Sequence, residues 1–327
     1  MTDLSVFFAG TAGSVPTARR GLPAVLVRRG GERLLFDCGE GTQRQLLRSV
    51  GLTDLDFVFL THHHVDHWLG LLGMVKSFAL RDRERPLTVY GPPGTEQLMK
   101  AMKVVIGRLP YEFGVVDLAA GDVLDFDGGY SIEAFNVRHG GIAFGYALVE
   151  QERPGRFDAE RAAALGVPFG PDLGRLQRGE RVDGVDPAQV VGPPRPGRRI
   201  VISGDTMPCD AVRVAADGAD LLVHEATFTS EEHERAAETR HSTARQAAAL
   251  AAEAGVQMLA LTHLSTRYAG REVLEEARAA FPRTERPRDF DTIEVPFPEK
   301  GEPVLLRWDP AAQAPAVPAA PERVEAP

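Results

Sequence analysis

The chain has 327 residues, 43% of them hydrophobic and 25% charged, with a formal net charge of −9. This is the composition of an ordinary globular protein with enough chain for a sizeable core. The N-terminus lacks the regions of a signal peptide, and no apolar run reaches the ~18–20 residues of a membrane helix. Two cysteines make no disulfide framework, so we expect a cytoplasmic protein with no membrane partner.

The chain carries 37 basic residues, and its lysines are Lys76, Lys100, Lys103 and Lys300. The others are arginine, which grips phosphate groups in a bidentate fashion. A GC-rich coding sequence would produce the same bias. Because the net charge is acidic, a nucleic-acid partner requires positive charge that is gathered locally.

Short apolar runs alternate with amphipathic or alanine-rich stretches, a pattern that favours an α/β fold. The predicted strands, in chain order, are Leu4–Phe8, Ala24–Arg28, Arg33–Asp37, Phe57–Leu60, Leu87–Tyr90, Ser131–Val137, Phe144–Val149, Ile200–Ser203, Leu221–His224, Met258–Thr262 and Thr292–Val295. The predicted helices are Thr42–Val50, His67–Leu80, Thr95–Ile106, Thr243–Ala254 and Glu272–Phe281. Thr243 and Gln246 have the spacing of a capping box.

Two stretches interrupt this alternation. Residues 151–199 are rich in proline, glycine and arginine, which prevents any long regular element. A connection of this length is usually functional or disordered. Residues 309–327 are rich in alanine and proline and are expected to be disordered. We therefore expect one domain over residues 1–308, with residues 151–199 inserted into it.

The strongest functional signal is the segment Thr61-His62-His63-His64-Val65-Asp66-His67, which follows a predicted strand. Its four candidate ligands are too many for one tetrahedral structural site supplied by a single loop. We expect His62 and His64 to face one metal ion, and the pair Asp66 and His67 to face a second. A solvated polyhistidine loop is the alternative interpretation. Asp37 is expected to anchor a loop behind this site.

Three further candidate ligands each follow the end of a predicted strand: His139, Asp205 and His263. Open α/β sheets bind ligands at the carboxyl ends of their strands, so these residues indicate one shared site. Imidazole and carboxylate ligands favour Zn²⁺, with Mn²⁺ or Fe also compatible. Two ions about 3.5–4 Å apart can clamp a displacement at phosphorus. Asp205 is the best candidate for a bridging carboxylate, and Asp66 for orienting the attacking water.

The motif His62-x-His64-x-Asp66-His67 resembles the signature of the metallo-β-lactamase superfamily. Within that superfamily the chain most resembles bacterial ribonuclease Z. The segments that carry this narrower resemblance are Ser203–Thr206, His224–Phe228, His241–Thr243 and Leu261–His263. The resemblance runs over about residues 4–296, and it implies a four-layer αβ/βα sandwich with two zinc ions at one edge.

The resemblance also implies that Glu225 and His241 act together in catalysis. The 3′-oxygen that leaves during hydrolysis needs a proton, and histidine can supply one near neutral pH. The dipole of the helix that begins after His241 disfavours a charged ring, and a Glu225 carboxylate would oppose that effect. A helix-start histidine and a buried, hydrogen-bonded carboxylate are the alternative interpretations.

Residues 151–199 resemble the protruding arm with which this family holds tRNA; a disordered surface loop is the alternative. The segment has nine arginines and seven acidic residues, a net charge of +2. The family's Pro-x-Lys-x-Arg-Asn loop, which is tied to the treatment of the CCA end, corresponds to Pro16–Gly21. Ala18 and Gly21 occupy the lysine and asparagine positions, so the cleavage position relative to CCA is left open.

The function implied is that of an endoribonuclease that removes the 3′ trailer from precursor tRNA. It would leave a 3′-hydroxyl on the tRNA and a 5′-phosphate on the trailer, and the family resemblance implies a homodimer. One alternative is a hydrolase of a small phosphodiester, sulfate ester or lactone on the same fold, which would have little use for the arm. Another is an RNA-binding module without metals.

Overall fold

The computed structural model describes residues 3–52 and 54–310, which form two β-sheets flanked by helices. The strands are β1 (Leu4–Gly10), β2 (Ala24–Arg29), β3 (Glu32–Phe36), β4 (Phe57–Phe59), β5 (Leu87–Gly91), β6 (Phe113–Asp117), β7 (Val123–Phe126), β8 (Tyr130–Asn136), β9 (Phe144–Glu150), β10 (Arg199–Ile202), β11 (Leu221–Glu225), β12 (Met258–Thr262), β13 (Thr284–Glu285), β14 (Thr292–Glu294) and β15 (Val304–Leu306). The α-helices are α1 (Thr42–Leu47), α2 (Val65–Trp68), α3 (Gly70–Ala79), α4 (Thr95–Ile106), α5 (Ala159–Ala164), α6 (Pro171–Gln177), α7 (Asp210–Ala215), α8 (His233–Thr239), α9 (Ala244–Glu253) and α10 (Arg271–Ala280).

The two sheets pack face to face around one apolar core. The first has the strand order β15-β14-β1-β2-β3-β4-β5-β6, and the second has the order β13-β12-β11-β10-β9-β8-β7. Strand β1 shows why they pack this way: Val6 and Phe8 point into the core between the sheets, and Phe7 and Ala9 point to the outer face. Because side chains alternate along a strand, each strand with two apolar faces needs cover on both sides.

Helices supply the outer cover. Leu71, Met74 and Val75 of α3 join a cluster on the outer face of the first sheet, together with residues of α1 and α4. Ala-rich α9 packs on the outer face of the second sheet beside α7 and α10. The result is the predicted four-layer αβ/βα sandwich, which is confirmed. None of the helices in the described part of the chain has the length and apolar character to cross a bilayer.

All eleven predicted strands are present, with their ends shifted by a few residues. The predicted helix His67–Leu80 begins earlier, at Val65, and is divided at Leu69 into α2 and α3. The capping box at Thr243 is confirmed: its hydroxyl accepts from the Gln246 N–H at 3.2 Å, and the Gln246 side chain accepts from the Thr243 N–H at 2.9 Å.

Residues 151–199 leave the second sheet after β9 and return at β10. They contain the short helices α5 and α6, packed around a small core of their own that includes Leu173, Leu176 and Val182. The expectation that long regular elements are absent there agrees with these helices of six and seven residues. Of the predicted disordered tail, residues 311–327 lie outside the described residues.

The carboxyl ends of the parallel strands converge at one edge of the sandwich. Strand β4 pairs in parallel with β3 and β5 in the first sheet, and β11 pairs in parallel with β10 and β12 in the second. The segments that follow β4, β10 and β12 therefore meet at this edge, which also receives the segment after β8.

Candidate metal centre

The histidine-rich segment crosses from the end of β4 into α2. His62 and His67 are 1% exposed, whereas His64 lies at the start of the helix and is more open. Thr61 holds the base of the segment, because its N–H donates to the Asp37 carboxylate at 2.8 Å. Asp37 itself has a φ of 58°, a left-handed conformation that aspartate tolerates better than most residues.

The structure brings all seven predicted ligands together, in two groups. Candidate ligand atoms of the first group lie within 4.8 Å of one another and belong to His62, His64, His139 and Asp205. The second group, with the same spacing, consists of Asp66, His67 and His263. Asp205 lies between them: its Oδ2 is 3.2 Å from Nε2 of both His67 and His263. The same oxygen is 3.8 Å from Nε2 of His62.

The imidazole rings are held in the orientation that metal ligands need. Nε2 of His62, His67 and His263 is buried and has no hydrogen-bond partner within residues 3–52 and 54–310. Each Nδ1 is anchored instead, to Thr61 Oγ1 at 3.0 Å, Asp37 Oδ2 at 2.7 Å and Thr227 Oγ1 at 2.9 Å, respectively.

A buried polar atom without a partner is costly, and histidines that bind metal usually donate their other N–H to a neighbouring oxygen. His139 shares this arrangement, with Nδ1 2.9 Å from the carbonyl oxygen of Arg240. The donor set therefore fits divalent metal ions.

Charge in the cluster is balanced around Asp205. Burial works against the ionised carboxylate, yet the imidazoles of His263 and His67 hold the pKa of Asp205 well below its usual range. Burial and the neighbouring His67 ring lower the pKa of His62 far below its usual value, so that ring is neutral. A neutral imidazole has the lone pair that a metal ligand must offer.

Asp66 is the more open of the two carboxylates, with a side chain 16% exposed. Its Oδ2 accepts the backbone N–H of Ser14 at 2.9 Å. Burial opposes ionisation here too, but the neighbouring rings of His263 and His67 lower the pKa of Asp66. The carboxylate is thus ionised and partly open to solvent.

The predicted partnership of Glu225 and His241 is present as a direct contact. Nδ1 of His241 lies 2.7 Å from Oε1 of Glu225, and the His241 ring centroid is 4.8 Å from that of His139. Burial disfavours the charged ring, but the Glu225 carboxylate raises the pKa of His241 to about 9. The backbone N–H groups of Thr206 and Thr227 also donate to Glu225, at 3.0 Å each. The Glu225 carboxylate therefore favours the protonated form of the His241 ring.

Three supporting residues escaped the sequence analysis: Ser14, Thr227 and Arg240. Thr227 lies inside the His224–Phe228 segment. Its hydroxyl donates to Oε2 of Glu225 at 2.6 Å and lies 2.9 Å from Nδ1 of His263, so it connects the two side chains. A hydroxyl two residues after a candidate catalytic glutamate was the available signal. Ser14 acts through its backbone N–H, for which side-chain identity carries no signal. Arg240 contacts His139 twice: its carbonyl oxygen lies 2.9 Å from Nδ1 of His139, and its guanidinium donates to the His139 carbonyl oxygen at 3.0 Å.

The fold and the site together define the class of protein to which the chain belongs. Residues 32–264 match the sequence model described as "Beta-lactamase superfamily domain". Together with the two groups of histidine and aspartate residues, this match implies a divalent-metal site at the edge of the sandwich.

The relatives narrow the class. The chain is 46% identical to ribonuclease Z of Halorubrum lacusprofundi over 310 residues, covering 92% of this chain and 100% of that one. It is 49% identical to ribonuclease Z of Myxococcus xanthus, covering 82% and 89%. A crystal structure of the short form of human tRNase Z is similar with a TM-score of 0.67 at 28% identity, covering 89% and 99%. The chain belongs to the ribonuclease Z family.

Proposed function

We propose that the protein is a zinc-dependent endoribonuclease that removes the 3′ trailer from precursor tRNA. The products would be a 3′-hydroxyl on the tRNA and a 5′-phosphate on the trailer. The observation that carries the proposal is the set of buried imidazole Nε2 atoms around one Asp205 oxygen, with the contacting pair His241 and Glu225 beside it. Family membership supplies the substrate class.

Zinc is the preferred occupant because the donors are imidazole and carboxylate, with Mn²⁺ or Fe compatible. The metal ligands we assign are His62, His64, Asp66, His67, His139, Asp205 and His263. When bound, two such ions lower the pKa of water and stabilise negative charge on a transferring phosphoryl group.

Three side chains of the protein are proposed to carry out the other catalytic roles. Asp66 faces solvent with an ionised carboxylate, and it would orient the attacking water by accepting a hydrogen bond. His241 would donate its proton to the departing 3′-oxygen, and Glu225 would hold the ring in position and keep it charged. Asp66, His241 and Glu225 are the catalytic and positioning residues of this proposal.

Residues 151–199 are proposed as a tRNA-binding arm inserted into one catalytic domain that spans residues 1–308. Support comes from the arm's own apolar core and from the exposed positions of Arg156, Arg161 and Arg178. We further propose a homodimer in the cytoplasm, in which the arm of one subunit helps to hold tRNA that is processed by the other.

The test is incubation with a precursor tRNA that carries a 3′ trailer. We expect cleavage by the unmodified protein, near-complete loss in Asp205→Ala, and a rate loss of about 10²–10⁴ with metal retained in His241→Ala. His233→Ala is the matched control, since His233 is exposed and lies outside the site. Unchanged trailer removal in Asp205→Ala and His241→Ala would refute the mechanism.

Deletion of residues 155–195 separates the RNA enzyme from a hydrolase of small substrates. If the arm holds tRNA, precursor cleavage collapses while hydrolysis of a small aryl phosphodiester persists. If both activities survive to the same extent, the arm has no part in substrate binding, and the proposal of a tRNA-binding arm fails.

A further inference from the structure

A basic cavity lies beside the metal centre. Its volume is about 510 Å³, and it opens between the segments 17–20, 266–269 and 286–289. Four arginines line it: Arg19, Arg20, Arg286 and Arg288. The chain as a whole is acidic, so this local concentration of positive charge stands out against the net charge of −9.

Asp289, the acidic residue of the cavity lining, accepts hydrogen bonds from residues other than the four arginines. Its Oδ1 accepts from the Thr11 hydroxyl at 2.7 Å. Its Oδ2 accepts from the Gly21 N–H and from Nε2 of Gln45, at 2.6 Å each. Burial raises the pKa of Asp289 to about 6, which further reduces its power to neutralise the arginines at lower pH.

Arg286 is the most confined of the four arginines. Its Nε is buried and has no hydrogen-bond partner among the residues that the structure describes. Burial and the charges of Arg20, Arg288 and Arg307 all lower its pKa. Its guanidinium also lies against Gly270, where a Cβ would come within 3.0 Å, at the positive end of the α10 dipole. Asp291 offsets this crowding of positive charge only in part, so an anion bound in the cavity would be stabilised.

The wall between the cavity and the metal centre is thin. The Leu264 N–H donates to the Thr11 carbonyl at 3.0 Å, and the Gly13 N–H donates to the Leu264 carbonyl at 3.1 Å. Thr11 and Thr266 both line the cavity. Thr266 lies three residues after His263, so at most about 11 Å of chain separates the two.

We propose that this cavity binds a backbone phosphate of the RNA substrate, close to the bond that is cut. The inference rests on the proposed function and adds a contact to it. A guanidinium matches the oxygens of a phosphate in geometry and charge. The residues that line the cavity include no aromatic ring within the described chain, which favours a phosphate over a stacked base.

The experiment compares Arg286→Gln, Arg288→Gln and the double variant with the unmodified enzyme on precursor tRNA. The loss should appear in KM, at about tenfold for each lost contact, and Arg286→Lys should restore part of it. The plot of log(kcat/KM) against log[salt] should become shallower by about 0.7–0.9 for each phosphate contact removed. Arg283→Gln is the matched control, because its exposed guanidinium is paired with Glu302 at 2.7 Å.

A structural role for Arg286 predicts a different result. Because Arg286→Gln relieves repulsion among like charges, the urea midpoint should stay the same or rise while KM increases. A fall in the midpoint with an unchanged salt slope would overturn the proposal. So would a double variant whose KM matches that of Arg283→Gln.

Two further measurements distinguish a failure of the phosphate site from a failure of the proposed function. Fluorescence anisotropy with a labelled precursor tRNA reads binding without cleavage, so a failure of the proposed activity would not hide the phosphate contact. Calorimetry with inorganic phosphate tests a site for the free ion. Phosphate binding that is lost in Arg286→Gln, with unchanged affinity for the precursor, would overturn the assignment to RNA.

Discussion

The arm is tied to the second sheet by a buried ion network, and Glu150 lies at its centre. Nε and Nη2 of Arg198 donate to the two oxygens of Glu150, at 2.7 and 2.8 Å. Nε of Arg29 donates to the same carboxylate at 2.9 Å. The three side chains are between 2% and 8% exposed. Glu150 directly precedes the arm and Arg198 lies near its C-terminal end, so this network closes the base of the arm.

Glu150→Ala would leave two buried guanidiniums beside an empty space. Removing one member of a buried ion pair typically costs about 3–5 kcal/mol, a large part of the ~5–15 kcal/mol by which domains are stable. Glu299 is the matched control, since it also joins two arginines, Arg153 and Arg195, but its side chain is 38% exposed. We expect Glu299→Ala to cost much less than Glu150→Ala, because water screens ion pairs at the surface.

The assay is equilibrium unfolding in urea followed by circular dichroism, at several pH values. Burial opposes ionisation of Glu150, but the hydrogen bond and charge of Arg198 lower its pKa from the usual 4.5. A lowered pKa in the folded state stabilises the protein above the usual pKa, and this contribution is lost as the pH falls through the folded-state value. The difference between the unmodified protein and Glu150→Ala should therefore shrink below about pH 4.5. A cost for Glu150→Ala at pH 7 no larger than that for Glu299→Ala would refute the reasoning.

Two further predictions concern the support of the metal centre and are read by metal content after dialysis. A Cβ added at Gly13 would lie 2.5 Å from Nδ1 of His263, so Gly13→Ala should displace this ring and lower metal content. Gly31→Ala, where a Cβ meets nothing within 4 Å, should retain it; equal metal content in both variants would contradict the argument. Asp37→Asn keeps a residue that tolerates φ of 58° but removes the charge beside His67 Nδ1, and it should weaken metal binding about 10–100-fold. Retention of full affinity would show that Asp37 only shapes the loop.

Local sequence patterns were enough to predict most strands of the sandwich, because the alternation of apolar residues indicates which faces of a strand are buried. The elements that were missed are those with little to bury. Strand β6 (Phe113–Asp117) lies at a sheet edge with no fully buried residue, and β13 has two residues. Helices α7 and α8 are short and bury one residue each, Val212 and Ala236, so their apolar period is too brief to detect.

The sequence by itself determined the candidate ligands, since imidazoles and carboxylates stand at the ends of apolar runs, where strands deliver side chains to an edge. Only the tertiary structure decided how they meet. Asp205 reaches His67 because a loop of the second sheet faces a loop of the first across the core. Likewise, Arg286 gains its charged neighbour Arg20 from the opposite end of the chain. Such contacts depend on how the two sheets pack against each other, a relation between distant segments that no local pattern encodes.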